Sequence, residues 1–361
     1  MKILSTSKQI ENFLGMEPLQ AASIRVTRAC NLKCEQCYSF SGTRGENELT
    51  FSEIKRILDE LEKLGTIRLF FTGGEPFIRP DMVDILEYAD KKGFAFYIST
   101  NGVLVNDKII NSLSSLKHLK TFQVSIDGME KMHDEIRGKR GTFIKAIKTL
   151  EMAKKKLKSV KITSVFTLMK KNAEESKMVL KTLMDMNVDT FAVVPLYPVK
   201  RLQNAKDISP KEKFKLFQEL CGEFKSIKNK KTKLALSFLV PPAIMPKAVR
   251  NTEFGCGYLC TFPSILGIDA NGNVAPCDGL LDHKEFILGN IRNNSLENLW
   301  NSSIMKDLRN IKAEEIEGCC KSCKHLDFCA GGCRARAYIE YGNFRAANPL
   351  CQSFYENNLM E

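Results

Sequence analysis

Three cysteines stand close together in the run Cys30-Asn-Leu-Lys-Cys34-Glu-Gln-Cys37-Tyr38. Three thiolates on one short loop can hold three corners of a cubane iron–sulfur cluster and leave its fourth iron without a protein ligand. Catalysis needs such an open position, because a small molecule can complete the coordination. Zinc is the alternative, but structural zinc asks for a fourth ligand, and the next histidine after the loop is His118. A second group lies downstream, as Cys256-x3-Cys260, Cys277, Cys320-x2-Cys323-x5-Cys329-x3-Cys333 and Cys351. Those eight thiols suffice for two four-thiolate centres, and no zinc-ribbon spacing accommodates all eight. Two cysteines remain. Cys221 reads as a small buried hydrophobe, and Cys319 should diverge from its neighbour Cys320 and so stay out of the same centre, with a spare-ligand role as the lesser alternative.

The elements that must position these groups follow a βα rhythm from residue 23 onward. Predicted strands are Ile24–Thr27, Ile67–Thr72, Phe94–Ser99, Thr121–Ile126, Val160–Thr167 and Thr190–Leu196. Helical patterns lie between them, clearest at Phe51–Leu64, Asp81–Lys92, Thr142–Lys155 and Glu174–Met186. Such alternation implies a parallel sheet with functional groups at its C-terminal strand ends. The polar strand ends are Thr72-Gly73-Gly74-Glu75, Ser99-Thr100-Asn101 and Ser125-Ile126-Asp127, with Arg137-Gly138 expected after a short turn. Any one of these is an ordinary turn; together, behind a three-cysteine loop, they outline a cofactor site. After Leu196 the rhythm stops, and residues 235–250 read as a packed, proline-containing connector. Asn271-Gly272 between two short runs signals a hairpin.

The expected fold class is α/β: a partial (β/α)6 barrel followed by a small cysteine-rich, cluster-binding α+β domain. The expected organisation is an N-terminal segment over 1–19, the barrel over 20–205, a helical linker over 206–255 and the cysteine-rich domain over 256–361.

Composition narrows the setting. The chain has 361 residues, 43% hydrophobic and 27% charged, which is globular and excludes a disordered or collagen-like polymer. Thirteen clustered cysteines, no secretory h-region and no spanning apolar run point to the cytoplasm, where thiols stay reduced, and away from a membrane. The net charge of +12 suits an acidic substrate. Nucleic acid is not expected, because the runs Lys154–Lys158 and Lys228–Lys233 lack interleaved aromatics.

On the three-cysteine loop and the strand-end motifs, residues 20–200 resemble the radical S-adenosylmethionine (SAM) enzymes. The resemblance implies a [4Fe–4S] cluster on Cys30, Cys34 and Cys37 that binds SAM and cleaves it to a 5′-deoxyadenosyl radical. It also implies that Tyr38 packs near the adenine and that Gly73, Gly74 and Glu75 hold the methionine amino group. Ser125 and Asp127 would approach the ribose and Arg137 the carboxylate, with Ser99 and Asn101 also in the cofactor site. His133 matches a common family residue and is expected to be structural.

Residues 256–351, with Gly289-Asn290-Ile291 and Leu296–Trp300, resemble the SPASM domain that carries auxiliary [4Fe–4S] clusters. By that likeness Cys256, Cys260, Cys277 and Cys333 would hold the first auxiliary cluster, and Cys320, Cys323, Cys329 and Cys351 the second. If Cys256 does not ligate, the first has an open iron. Asp278, beside Cys277, is a candidate base for the proton lost when the substrate radical is oxidised, against the plainer reading of a carboxylate capping a turn.

The leading functional expectation is radical modification (oxidation, cross-linking or epimerisation) of a side chain in a ribosomal peptide or protein. The runner-up is modification, such as decarboxylation, of a tetrapyrrole haem precursor, and the reading from another class is a non-catalytic multi-zinc protein. An electron donor such as ferredoxin or flavodoxin is implied. With only residues 1–19 before the barrel, leader recognition would need a separate peptide-binding protein, or none.

Overall fold

The computed structural model of the chain describes residues 18–39, 41–197, 206–227, 233–246 and 264–360. Its centre is one ten-stranded sheet. Strands β1 (Ala21–Arg25), β2 (Arg68–Thr72), β3 (Ala95–Thr100), β4 (Leu119–Ser125), β5 (Lys161–Leu168) and β6 (Thr190–Pro195) pair in sequence order, all parallel. These are the six expected strands, each within a few residues of its expected bounds. Their apolar content explains the parallel arrangement, since a sheet covered on both faces needs near-continuous hydrophobic runs. Phe71, Phe96, Phe122, Phe166 and Phe191, one from each of β2 to β6, are all completely buried.

The helices begin and end on local signals. Helix α1 (Phe51–Lys63) opens with a capping box: Thr50 accepts from the Glu53 amide, and Glu53 reaches back to Thr50. It buries Ile54, Ile57, Leu58 and Leu61, the stripe legible in its spacing. Helices α2 (Met82–Lys91), α3 (Asp107–Ser114), α4 (Glu130–Arg137), α5 (Thr142–Lys156) and α6 (Ser176–Asp185) cover the sheet in turn. Two of these, α3 and α4, were not read from the sequence. Arg137 therefore does not follow a short turn; it is the last residue of α4, which ends on Gly138 in the left-handed conformation at φ +69°.

The rhythm continues past Leu196. Helix α7 (Pro210–Ile227) is followed by β7 (Ala235–Phe238), a seventh parallel strand beside β6. The prolines that suggest a connector begin only at Pro241, after the strand has ended. At the other edge, β8 (Ile265–Ile268) joins β1 in parallel and turns through Asn271-Gly272 into antiparallel β9 (Asn273–Ala275), with β10 (Gly289–Asn290) outermost. The expected hairpin is present, and it extends the barrel sheet: the order is β10-β9-β8-β1-β2-β3-β4-β5-β6-β7. Short helices α8 (Leu296–Trp300), α9 (Ser303–Arg309), α10 (Leu326–Cys329), α11 (Arg334–Tyr341) and α12 (Pro349–Glu356) complete the cysteine-rich part. No described helix is long and apolar enough to cross a membrane.

Candidate active site and cysteine cavities

The C-terminal ends of the strands open on a cavity of about 320 Å³. The loop after β1 brings Cys30, Cys34 and Cys37 to its wall. Backbone bonds fix that loop: Cys30 donates to the Gly42 carbonyl at 2.8 Å, and the amides of Lys33 and Glu35 donate to the carbonyls of Arg137 and Ile136 at 3.4 and 3.1 Å. The cysteine loop is thus seated on the C-terminal end of α4. Gly74 must be glycine, because a Cβ there would lie 2.1 Å from the Ala29 carbonyl oxygen, against the base of the same loop.

Most of the expected site residues line this cavity: Tyr38, Gly73, Gly74, Ser99, Asn101, Ser125 and Arg137. Asn101 is turned toward the loop, with its Nδ2 donating to Asn31 Oδ1 at 2.9 Å and lying 4.0 Å from Cys30 Sγ. Glu75 and Asp127 are fully buried behind the wall. The Glu75 carboxylate accepts from Thr100 Oγ1 (2.7 Å), the Asn101 amide (2.8 Å) and the Phe77 amide (3.2 Å), so it locks the end of β2 to the end of β3. Asp127 accepts from the Thr167 amide at 2.7 Å, from Gln36 Nε2 and from the Arg137 guanidinium. It aims two cavity-lining side chains instead of facing the cavity itself.

His133 lies behind Asp127, 1% exposed, with Nδ1 accepting the Asp127 amide at 3.1 Å. Burial, and then the Arg137 charge, pushes it down to about 3.

The charge balance around the loop calls for a cation. Burial, with Cys34, Glu75 and Cys37 adding repulsion, pushes the Cys30 thiol up to about 11. Burial also raises Cys34, although Arg137 Nη1 approaches its sulfur at 3.7 Å and opposes the rise. Buried thiols of this kind become thiolate ligands when a metal centre supplies the positive charge. Polar capacity is also left over. Arg137 Nε, Gln36 Oε1 and Thr72 Oγ1 are buried in the lining with no hydrogen-bond partner among the described residues. A buried polar atom without a partner is costly, so a polar ligand fits this wall. Three free thiols beside unpaired donors and acceptors suit both an iron–sulfur cluster and SAM.

At the outer end Tyr38 and Tyr197 lie with ring centroids 5.9 Å apart. The Tyr38 hydroxyl donates to Asp278 Oδ2 at 2.8 Å, and Arg25 donates to Asp278 Oδ1 at 2.8 Å. Asp278, the candidate base, is therefore held by a guanidinium and a phenol and is not part of the cavity lining. Gln36, Arg25 and Tyr197 were missed in the sequence. Arg25 carried a signal, being the one charge in an otherwise uncharged strand.

The C-terminal cysteines separate into two places. Cys333 and Cys277 join one small apolar cluster with Leu280, Leu281 and Phe286, although 56 positions separate them. Cys256 and Cys260 lie outside the described residues. Cys320, Cys323, Cys329 and Cys351 line a second cavity. Cys319, expected to stay out of this centre, lines the cavity too. The adjacent Cys319 thiol lowers Cys320, while Cys320 and then burial raise Cys319. Cys221 is buried on α7, 2% exposed, as a small hydrophobe would be.

Comparisons with known proteins follow the same division. The radical SAM superfamily model matches residues 24–183, and the SPASM model, an iron–sulfur cluster-binding domain, matches residues 260–324. The chain is 29% identical over 343 residues to the AdoMet-dependent heme synthase of Methanosarcina barkeri, covering 90% of this chain and 94% of that protein. It is also 29% identical over 350 residues to the mycofactocin maturase MftC of Mycobacterium tuberculosis, covering 95% and 85%. Among solved structures, Streptococcus suis SuiB bound to S-adenosylmethionine aligns with a TM-score of 0.76 at 18% identity, over 96% of this chain and 81% of that one. Native anSMEcpe with bound AdoMet and the Cp18Cys peptide aligns at 0.73 and 20% identity, over 93% and 95%.

Proposed function

The chain belongs to the radical SAM superfamily and carries a SPASM domain, and from that premise we propose that it modifies a side chain of a ribosomal peptide or protein. It is an enzyme whose cofactors are iron–sulfur clusters and SAM. Cys30, Cys34 and Cys37 hold the cluster that binds SAM. Cys277 and Cys333, with Cys256 and Cys260, hold the first auxiliary cluster; Cys320, Cys323, Cys329 and Cys351 hold the second. The barrel unit begins at residue 20 and, because β7 pairs beside β6, runs through Phe238, beyond the expected boundary at 205; the auxiliary domain is 256–361. When bound and reduced, the SAM-binding cluster supplies the electron that cleaves SAM and so gives the site its hydrogen-abstracting chemistry.

The remaining work falls to side chains. Arg137, aimed by Asp127, offers its unpaired Nε to the SAM carboxylate beside Cys34. Gln36 and Thr72 offer further polar atoms, and Ser99, Asn101 and Ser125 line the ribose side. Glu75 holds the Asn101 amide in place. Tyr38 and Tyr197 narrow the outer end, where they restrict water.

One observation carries the choice of substrate. Among the described lining residues Lys33 is the one cation outside an ion pair, since Arg137 is committed to Asp127. A tetrapyrrole with several carboxylates would call for more cations around the mouth, whereas a peptide side chain does not. The tetrapyrrole reading remains second, favoured by the 29% identity to the AdoMet-dependent heme synthase and by the net charge of +12. Anaerobically reconstituted enzyme with SAM and dithionite, offered peptides from its gene neighbourhood or iron-coproporphyrin, decides between them. Substrate-dependent 5′-deoxyadenosine and a mass change on the peptide are expected, and turnover of the porphyrin alone overturns the reading.

A further inference from the structure

Five sulfurs face the second C-terminal cavity, and a cubane cluster has four irons to ligate. Cys319 and Cys320 sit side by side on a short 3₁₀ turn, Gly318–Ser322, where successive side chains point about 120° apart. Both are nevertheless buried and both line the cavity. The reason is how the turn is seated. Gly318 adopts φ +64°, and a Cβ there would lie 2.7 Å from Gln352 Oε1. The same Gln352 oxygen accepts the Cys319 amide at 3.0 Å. Gln352 adjoins Cys351 on α12, so the bond that places Cys319 also ties it to the helix carrying another cavity sulfur.

We propose that Cys319 is a reserve ligand of this site, able to replace Cys320 on the same iron. The proposal rests on the reading that the cavity holds an iron–sulfur cluster. The exchange needs no oxidant or reductant. The Cys319 S–H bond breaks and a Cys319 S–Fe bond forms; the Cys320 S–Fe bond breaks and Cys320 takes up the proton. Cys319 and Cys320 are adjacent and line the same cavity, so the proton has only a short way to pass between them. Cys323, Cys329 and Cys351 have no such neighbour in the sequence, so their replacement leaves an iron without protein sulfur.

The test is iron and acid-labile sulfide per chain, with electron paramagnetic resonance of the reduced clusters, on anaerobically reconstituted full-length protein. Cys319→Ala should match the parent. Cys320→Ala should keep its iron but change the resonance of one cluster, because a different sulfur now ligates. Cys319→Ala/Cys320→Ala should lose about four iron per chain, as should Cys323→Ala or Cys329→Ala alone. Equal iron loss from Cys320→Ala and Cys323→Ala would overturn the reserve role while leaving the cluster site intact. Unchanged iron in Cys323→Ala, Cys329→Ala and Cys351→Ala alike would remove the cluster from the cavity and the proposal with it. Should the double variant prove insoluble, Cys320→Ala against Cys323→Ala carries the comparison, since each removes one sulfur and only the first has a replacement beside it.

Discussion

Arg25 and Asp278 meet at 2.8 Å across 253 positions of sequence. The guanidinium also donates to the Asp278 carbonyl and to Asp282 Oδ2, each at 2.7 Å. Asp278 in turn accepts the Tyr38 hydroxyl. One carboxylate thus ties the end of β1, the cysteine loop and the segment after Cys277. Arg25 is 5% exposed, and its charge stays favourable only while these oxygens surround it.

Asp278→Ala and Arg25→Gln should therefore behave alike. Removing one partner of a buried ion pair costs about 3–5 kcal/mol, and the surviving contact to Asp282 puts Asp278→Ala near the low end. The expected outcome is a joint fall in urea midpoint, iron content and 5′-deoxyadenosine. A base role predicts a different result: intact SAM cleavage, with 5′-deoxyadenosine in excess of product, in the Asp278 variant alone.

Replacing Cys30, Cys34 and Cys37 together with Ala should abolish 5′-deoxyadenosine formation. About two thirds of the iron should remain, if three cubane clusters are bound in the parent. Iron analysis and chromatography of the reaction check both parts. Reductive SAM cleavage by the triple variant would remove the loop from catalysis.

The barrel was legible because each parallel strand is a short apolar run and each long helix carries a 3.6-residue stripe. Helix α4 escaped because it begins Glu-Lys-Met-His-Asp-Glu, with few apolar residues to show a period. Strand β7 escaped because four residues set before a proline cluster carry too little pattern. The cysteine loop and the strand ends named most of the cavity lining, since those residue types cluster for chemical reasons. Spacing could not show which way a side chain faces. Glu75 and Asp127 look like ligand contacts in the sequence, yet each carboxylate turns to backbone amides and neighbouring side chains behind the wall. The Arg25–Asp278 contact is long-range and had no local trace.

Gly74→Ala tests the seating of the cysteine loop. Its Cβ would sit 2.1 Å from the Ala29 carbonyl oxygen, so β2 and the loop must separate. Overpacking of this kind costs about 1–3 kcal/mol. About a third of the iron should be lost along with SAM cleavage, while the auxiliary clusters persist. Full iron loading with parent-like SAM cleavage would show that the loop tolerates the shift.

His133 should make the protein acid-sensitive in a defined window. Its ring is 1% exposed, and Nδ1 accepts the Asp127 amide at 3.1 Å, a contact that requires the neutral ring. Burial, with Arg137 adding repulsion, pushes its folded value down to about 3. Unfolded histidine titrates at about 6.5, so between these values the unfolded chain binds a proton that the folded chain refuses. Stability from this residue is therefore complete above pH 6.5 and is lost as the pH falls toward 3. At pH 5 the loss amounts to about 2 kcal/mol. His133→Gln keeps a hydrogen-bonding side chain and cannot titrate. Anaerobic urea midpoints measured from pH 7.5 to pH 5 should fall more steeply for the parent than for this variant, and the two curves should converge toward acid. Parallel curves over that range would show that His133 is already protonated in the folded protein, or that its ring is far more open to water than the packing against Phe143 at 5.8 Å allows.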